Sequence, residues 1–377
     1  MMVFKNDDLA STALPKSPKI LLVGDFAWPW YQEACALSLE HHGCIVTRFG
    51  WVSDFNRWVS AIPVYRSIFH RIQFRLRSGP VVWGINRRLI KAAVEQNPDI
   101  VWFYNATLIS PKVVREMRVL LPNAVFCQYS NDNPFSKTAG YGFWSHYLKS
   151  SKYFDLHFAF RHRNLADYQR LGASHVHLFQ AYFIREDEYP VPADQIPAKF
   201  KCDVVFAGHY ENDGRVNMLE AICEAGYTLN LFGGGWDSAL KQLRPDSPLR
   251  DKYPVMPAMK EDYRYAICGA KVALCFLSAA NEDNYTRRSF QIPAMKTAML
   301  SQHTDYLEAI YQPDIEAVFF KNKTEMLEKL RILVENDKKR QEIADAGYQK
   351  VYSAGHDVNS RIKVFLNQVI EYSSTKK

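Results

Sequence analysis

Two stretches of the chain share one pattern: a short apolar run that ends in glycine, a helix-length segment, and a second apolar run. The first stretch begins with Lys19–Asp25, and its second apolar run is Cys44–Phe49. The other begins with Lys201–Gly208 and continues to the apolar run Tyr227–Phe232. Short continuous apolar runs are typical of buried parallel strands, and a helix between two such strands makes a right-handed βαβ unit. The pattern therefore predicts an α/β protein with two doubly wound, Rossmann-like halves.

Length and composition fit this prediction. At 377 residues the chain is long enough for two cores of ordinary size, and its apolar fraction of 47% is typical of a globular protein. No apolar run approaches the roughly 20 residues needed to span a bilayer. Seven dispersed cysteines without a Cys-x-x-Cys pair favour free thiols in a reducing compartment. We therefore expect a cytoplasmic protein.

The domain bounds follow from where the pattern stops and restarts. Residues 1–18 lack a secretory apolar core and predict a loose polar tail. Prolines and acidic residues in 186–197 are typical of a linker. These features predict a first domain at 19–190, a second at 198–356 and a closing helix at 357–377. The first βαβ unit lacks the G-x-G-x-x-G motif, so a nicotinamide or flavin dinucleotide site is not supported.

The stretch most specific for function is Asn284–Met295, which reads Asn-Tyr-Thr-Arg-Arg-Ser-Phe-Gln-Ile-Pro-Ala-Met. It follows an apolar run and a polar loop, and its spacing after Thr286 fits the start of a helix. Free backbone N–H groups at such a start can hold an anion. Arg287 and Arg288 add forked donors that suit phosphate. The alternative is a basic first turn that only meets solvent. We rank it second because arginine at a helix's positive end needs a compensating anion.

Residues Tyr285–Ala294 resemble the Thr-x-Arg-Thr-Phe-Glu-Ile-Pro-Ala box of the spore-maturation (CgeB-like) group of GT-B glycosyltransferases. The similarity continues through Met299-Leu300 and Glu316–Phe320 to Arg361. It implies two facing Rossmann-like domains with a cleft between them, and a C-terminal helix that crosses back to the first domain. The family's Glu after Phe resembles the donor-ribose carboxylate of related enzymes, and here it is Gln291, whose amide can bond ribose hydroxyls.

The resemblance also implies a function. The second domain would hold a nucleotide-sugar donor as substrate, the first would hold a glycan, lipid-linked or protein acceptor, and the reaction would need no metal and no further cofactor. Gly208 permits close backbone approach after a strand, and Arg215 opens the next helix, where it would complement phosphate. The glycines after Phe232 admit a nucleotide base, although a flexible loop explains them equally well. The predicted donor-binding residues are Gly208, His209, Arg215, Gly233, Gly234, Tyr285, Thr286, Arg287, Arg288, Phe290 and Gln291.

Two aspartates of the first domain are candidates for a catalytic base. Asp25 follows the first strand, where open α/β sheets contact ligands, but it also suits a helix N-cap. Asp132 stands in Asn-Asp-Asn-Pro and resembles the family's Asp-Asp-Pro segment, although this composition is also ordinary turn material. An inverting transferase needs such a base to deprotonate the acceptor hydroxyl, whereas a retaining one needs neither aspartate. One carboxylate between two asparagines offers too few ligands to predict a metal.

Residues 55–94 contain no acidic residue and many basic ones, interleaved with large apolar side chains. The basic residues are Arg57, Arg66, Arg71, Arg75, Arg77, Arg87, Arg88 and Lys91. A basic amphipathic helix favours an anionic membrane surface or a charged acceptor, so we predict such contacts for Arg66–Arg88, at the inner face of the membrane. The alternative is a solvated helix whose arginine stems cover apolar surface. Nucleic acid is a poorer fit, because no nucleic-acid-binding motif accompanies the basic residues.

The function that the sequence supports best is sugar transfer from a nucleotide-activated donor. One rival is a non-catalytic nucleotide- or sugar-binding protein on the same scaffold, and the uncharged Gln291 is its main support. The other is a nucleotide-sugar epimerase, which would need a carboxylate pair that we cannot locate in the sequence.

Overall fold

The computed structural model describes residues 14–57, 69, 72–136 and 142–375. The chain divides into two compact units. Unit 1 comprises residues 1–180 and 359–377, and unit 2 comprises residues 181–358. Each unit has its own parallel sheet, so the predicted pair of α/β halves is confirmed.

Unit 1 contains a six-stranded parallel sheet in the order β2-β1-β3-β4-β5-β6. The strands are β1 (Lys19–Val23), β2 (Ile45–Phe49), β3 (Ile100–Tyr104), β4 (Val125–Ser130), β5 (Leu156–Ala159) and β6 (Val176–Leu178). The α-helices are α1 (Ala34–His41), α2 (Val52–Arg57), α3 (Pro80–Gln96), α4 (Pro111–Leu120), α5 (Ser145–Ser150), α6 (His162–Arg170) and α14 (Val358–Thr375). The strand order reverses between β1 and β3, which makes that point the ligand crevice expected of a doubly wound sheet.

The core of unit 1 covers both faces of its sheet. Every residue of β3 is buried, as expected for a central parallel strand. On one face, Ile85 and Leu89 of α3 pack into the same cluster as Val101 and Phe103. On the other face, Trp102 stacks on Phe365 of α14 with ring centroids 4.2 Å apart. Because this aromatic contact buries α14 against β3, the last helix belongs to unit 1.

Unit 2 contains a five-stranded parallel sheet in the order β11-β10-β9-β7-β8. The strands are β7 (Cys202–Ala207), β8 (Leu229–Phe232), β9 (Ala270–Cys275), β10 (Ala298–Gln302) and β11 (Val318–Phe320). The α-helices are α7 (Arg215–Glu224), α8 (Asp237–Leu240), α9 (Glu261–Cys268), α10 (Arg288–Ala294), α11 (Asp305–Ile310), α12 (Lys323–Glu335) and α13 (Asp337–Ser353). Here the order reverses between β7 and β9, so the carboxyl ends of these two strands flank the expected crevice.

The boundary between the units differs from the predicted one. The sequence assigned residues up to 190 to the first domain, whereas residues 181–190 belong to unit 2. The reason is a buried contact. Glu188 lies in this segment, and its carboxylate pairs with Arg287 at the start of α10. The composition of the segment is typical of a linker, and composition does not show which of its acidic side chains is buried.

The described part of the basic stretch contains a short helical segment at residues 72–76 and, after a turn, most of α3. Arg66 and Arg71 lie outside the described residues. Arg88 forms an ion pair with Asp54, and Lys91 pairs with Glu95 at 3.6 Å, so acidic residues that flank the stretch neutralise part of it. Arg75 and Arg87 are exposed.

Arg77 behaves differently from the other basic residues of this stretch. It is 2% exposed, and its guanidinium carbon lies 4.1 Å from the ring centroids of both Phe74 and Phe143. Burial lowers the pKa of Arg77 to about 10. Its predicted contact with an anionic partner is therefore wrong, because the side chain belongs to the interior.

None of the helices in the described part of the chain is both long and apolar enough to cross a bilayer. The seven cysteines are all described and are free thiols, and four of them, Cys35, Cys44, Cys127 and Cys275, are buried.

Candidate functional site

Glycines join the carboxyl end of β7, at the crevice of unit 2, to the carboxyl end of the neighbouring strand β8. The Gly208 N–H, after β7, donates to the Phe232 carbonyl at the end of β8 (2.8 Å). The Trp236 indole N–H donates to the Gly208 carbonyl at 3.0 Å. Gly233 has a φ of +145°, and a Cβ there would lie 1.9 Å from the Gly208 carbonyl oxygen. Glycine is therefore required at 233 by the approach of two backbone segments, which decides against a flexible loop.

His209 and Gly234 meet beside this contact. A Cβ at Gly234 would lie 3.1 Å from the His209 ring, and the Tyr210 N–H donates to the Gly234 carbonyl at 3.0 Å. The fold thus brings together Gly208, His209, Gly233 and Gly234, which the sequence predicted as parts of one site.

Arg288 bridges the crevice between β7 and β9. Its Nη2 donates to the Phe276 carbonyl, after β9, at 3.3 Å. On the β7 side, its Nη1 lies 3.1 Å from where a Cβ of Gly208 would stand. The Nε is buried, and within the described residues it has no hydrogen-bond partner and no carboxylate forms an ion pair with this side chain. A half-buried guanidinium with donors to spare is suited to an anionic ligand.

Arg215, in contrast, is already neutralised. It is 2% exposed, and two of its nitrogens donate to Asp213 at 2.8 and 2.6 Å. A third donates to the His209 carbonyl, and Nη2 also reaches the Leu277 carbonyl at 3.4 Å. The predicted phosphate contact of Arg215 is therefore not the arrangement found. Its guanidinium ties the loop after β7 to the loop after β9.

Arg287 and Gln291 belong to a buried network centred on Glu188. The Arg287 Nη2 donates to the Glu188 carboxylate at 3.1 Å, and its Nε donates to the Tyr182 carbonyl at 3.3 Å. The Gln291 amide N–H donates to the same carboxylate, and its oxygen accepts from the Tyr263 hydroxyl at 3.0 Å. Both ends of the Gln291 amide are thus engaged inside the protein. The predicted ribose contact is not the one that the structure gives this side chain.

The aromatic side chains of the Asn284–Met295 stretch are structural. Tyr285 and Phe290 are fully buried, so their predicted contact with a donor is wrong for the side chains. Tyr285 stacks on Tyr306 with centroids 5.0 Å apart, and Phe290 stacks on His356 at 4.5 Å. Thr286 is also buried, and its N–H donates to the Ser289 hydroxyl. These residues fix the position of α10.

Three backbone N–H groups at the start of α10 already bond within the protein, so this start offers fewer free donors than the sequence suggested. The Ser289 N–H donates to the Thr286 carbonyl at 3.1 Å, and the N–H groups of Phe290 and Gln291 both donate to the Arg287 carbonyl. The helix is also only seven residues long, so its dipole is small. The capacity of this site for anions therefore rests mainly on the side chain of Arg288.

A pocket of about 360 Å³ opens at the carboxyl ends of β9, β10 and β11. Its lining includes Leu277, Gln302, His303 and Lys321. The Leu277 N–H donates to the Gln302 side chain at 2.7 Å, which ties two of the walls together. Leu277 directly follows Phe276, whose carbonyl accepts from Arg288, so the pocket begins where the Arg288 crevice ends. Its volume is in the range of small-ligand sites. The sequence missed it because the pocket depends on the order of the strands.

One cluster in unit 2 offers possible metal ligands. Donor atoms of His303, Asp305 and Glu308 lie within 4.8 Å of one another. The His303 Nε2 is 2.8 Å from the Glu308 carboxylate, and both acidic residues are exposed. A histidine–carboxylate hydrogen bond explains this geometry, so the cluster carries no metal assignment.

In unit 1, Asp25 lies at the crevice between β1 and β3. Its carboxylate accepts from the Ala27 N–H at 3.1 Å, within its own turn. The helical segment begins only at Pro29, and its N-cap residue is Trp28. The N-cap alternative for Asp25 is therefore wrong, and its side chain stays half-buried at the strand end.

Asp132 lies at the carboxyl end of β4, one strand beyond β3. Its carbonyl accepts from the Ser130 hydroxyl at 2.9 Å, and the side chain is half-buried. Next to it, Asn131 accepts from the Asn105 amide at 2.6 Å and from the buried Arg161 at 3.1 Å. The sequence missed Arg161, although a cation directly after the apolar run of β5 was a usable signal.

Comparison with known proteins adds the family context. Residues 215–367 match a family described as glycosyl transferase-like. Comparison with curated protein sequences finds no match. Among solved structures, HepE of Anabaena in complex with UDP and glucose superposes with a TM-score of 0.65 and 10% identity, covering 94% of this chain and 100% of that one.

Sucrose-phosphate synthase of Thermosynechococcus elongatus gives a TM-score of 0.66 at 11% identity, covering 94% of this chain and 99% of that one. The fold is GT-B. An α,α-trehalose-phosphate synthase of Burkholderia xenovorans, described as UDP-forming, superposes on this GT-B chain with a TM-score of 0.61 at 10% identity, covering 95% of this chain and 100% of that one. At these low identities the structural similarity establishes the architecture alone, and the family match covers residues 215–367, which include most of unit 2.

Proposed function

We propose that this GT-B protein transfers a sugar from a nucleoside-diphosphate donor to an acceptor, with the donor bound at the crevice of unit 2. The observation that carries this proposal is Arg288. It is a half-buried guanidinium at the strand-order reversal, with spare donors and, among the described residues, no acidic partner. A departing diphosphate needs such a charge-assisted donor to stabilise it. The pocket that begins at Leu277 offers room for the rest of the donor.

The printed descriptions of similar structures support the same ligand class. HepE was solved with UDP, with UDP-glucose, and with UDP and glucose. We therefore infer a nucleotide sugar as the donor of this chain, with UDP-sugars as the first donors to test. Asp25 and Asp132 are the proposed candidates for a base in unit 1, because each stands at the carboxyl end of a strand.

For the acceptor, we propose a lipid-linked or membrane-bound glycan. The support is the helical segment at residues 72–76 with the following Arg77, in which polar side chains are buried and apolar side chains are exposed. Gln73 and Arg77 are 3% and 2% exposed, whereas the apolar Ile72 and Leu76 are 50% and 66% exposed. In water an exposed apolar stripe of this kind is unfavourable unless something covers it.

The charge near this stripe favours an anionic lipid surface as the occupant. Arg75 is exposed on the same helix, and Arg87 is exposed four residues after Trp83, which is 63% exposed. Apolar side chains flanked by cations match the interface of an anionic bilayer. Self-association through the same stripe would overturn this assignment.

The experiment that tests the transfer reaction measures nucleoside-diphosphate release. Purified protein is incubated with UDP-glucose, then with GDP- and ADP-sugars, with and without a membrane extract as acceptor source. Release that requires the extract supports a transferase. Donor binding without release supports the non-catalytic alternative, and conversion of the free donor to an epimer supports the epimerase.

A further inference from the structure

The carboxylate of Glu188 is buried in unit 2 and receives three hydrogen bonds. The donors are the Ile184 N–H at 2.7 Å, the Arg287 guanidinium at 3.1 Å and the Gln291 amide. Burial raises the pKa of this carboxyl, while the charge of Arg287 and the two other hydrogen bonds oppose the rise. A buried carboxylate with this set of partners is a built site, because leaving it unpaired would be strongly unfavourable.

Gln291 fits this carboxylate because its amide is neutral and has both a donor and an acceptor. The N–H end bonds Glu188, and the oxygen end accepts from Tyr263. A carboxylate at position 291 would have no hydrogen to donate, and two carboxylates at this separation repel each other, so one of them keeps a proton until the pH is well above its ordinary pKa. Positions 188 and 291 therefore share one negative charge, which matches the positive charge of Arg287.

The adjacent arginines consequently have opposite roles. Arg287 is the N-cap residue of α10 and Gln291 lies four residues later, and both bond Glu188, so this carboxylate holds one face of the helix start. Arg288 instead contacts the Phe276 carbonyl and lies beside Gly208.

We propose that Glu188 is a positioning residue for the diphosphate site. It neutralises Arg287 and fixes α10, so that Arg288 carries the charge offered to the donor. Gln291 is then the matched partner of Glu188 rather than a lost catalytic carboxylate. The binding part of this inference rests on the proposed function.

The test exchanges the two side chains, because the exchange keeps one carboxylate and one amide next to Arg287. Glu188→Gln, Gln291→Glu and the double variant are compared with wild type, and Glu186→Gln serves as the control because Glu186 is exposed in the same segment. Each single substitution in the pair should lower the melting temperature. At pH 8, Gln291→Glu should weaken UDP binding by about tenfold, which is about 1.4 kcal/mol.

The pH dependence of UDP binding and stability distinguishes this electrostatic role of Glu188 from a packing role. In Gln291→Glu the carboxylate pair retains a proton because its folded pKa is raised. UDP binding and stability should therefore approach wild type near pH 5 and fall as the pH rises towards 8. The double variant should recover both properties to within about threefold of wild-type affinity, with a wild-type pH profile. Losses that simply add in the double variant, or a wild-type pH profile for Gln291→Glu, would overturn the proposal.

The two proposals can fail separately. If wild-type protein binds none of UDP, GDP and ADP in calorimetry, the proposed function is overturned and so is the diphosphate part of the Glu188 role. The melting temperatures still test the pairing of Glu188 with Gln291, because recovery in the double variant supports this pairing and additive losses contradict it.

Discussion

The carboxylate of Asp213 lies 2.6 Å from the guanidinium of Arg215. This pair sits beside the crevice where Arg288 has spare donors, so two arginines that look equivalent in the sequence differ in availability. Arg215 connects two loops through hydrogen bonds, whereas Arg288 is open to a ligand. The distinction depends on a carboxylate two residues before Arg215, and it leads to opposite predictions for the two side chains.

Arg288→Ala should weaken UDP binding without unfolding the protein. The loss should be about 1.5–3 kcal/mol, the usual range for a hydrogen bond to a charged group, or about 10- to 150-fold in affinity. Little stability should be lost, because the side chain makes one long hydrogen bond to the protein. Calorimetry with UDP and thermal denaturation measure the two effects. Arg331→Ala, on the exposed side of α12, is the control, and equal UDP affinity in both variants would contradict the phosphate role.

Arg215→Ala should instead destabilise unit 2. It leaves Asp213 without its partner in a largely buried position, and breaking a buried ion pair typically costs about 3–5 kcal/mol of unfolding free energy. Urea denaturation followed by tryptophan fluorescence measures the loss. A stability within 1 kcal/mol of wild type, on the scale of about 0–1 kcal/mol typical of surface ion pairs, would show that the pair is not buried in solution.

Binding of residues 72–77 and α3 to anionic lipid should depend on the exposed arginines of the two segments. At low salt, wild-type protein should sediment with vesicles that contain phosphatidylserine, and it should do so less as salt increases. Arg75→Gln together with Arg87→Gln should abolish sedimentation and leave UDP binding unchanged. Arg331→Gln is the matched control. Wild-type protein that ignores these vesicles at low salt, or that dimerises in light scattering and loses the dimer in Leu76→Ser, would contradict the lipid assignment.

The buried His157 should make unit 1 less stable in acid. It is 2% exposed, and its Nε2 lies 3.1 Å from the Ser151 carbonyl. Burial lowers the pKa of this imidazole to about 4. The unfolded chain takes up the proton near pH 6.5, so stability is complete above that pH and falls as the pH drops towards 4, by about 3 kcal/mol.

The comparison of wild type with His157→Gln isolates this contribution. Urea unfolding at several pH values between 7 and 4 should show a steeper decline for wild type than for the variant. Parallel declines would mean that the imidazole takes up its proton at the same pH in the folded and the unfolded protein.

The sequence by itself determined the architecture and the neighbourhood of the site. Apolar runs such as Lys19–Val23 and Cys202–Ala207 are strands because continuous burial on both faces selects them, and the glycines that follow them mark the strand ends. Since the carboxyl ends of parallel strands meet at one edge, the sequence also groups Gly208, Gly233 and Arg288.

Only the tertiary structure decided which of these residues are available. Arg215, Arg287 and Arg288 are alike in type and in their position at helix starts, and composition cannot show which of them faces a carboxylate. Glu188 is about a hundred residues from Arg287 and Gln291 in the chain, and folding brings it into contact with both. A charge becomes useful to a ligand only where the fold leaves it without a partner, and that depends on contacts between residues far apart in the sequence.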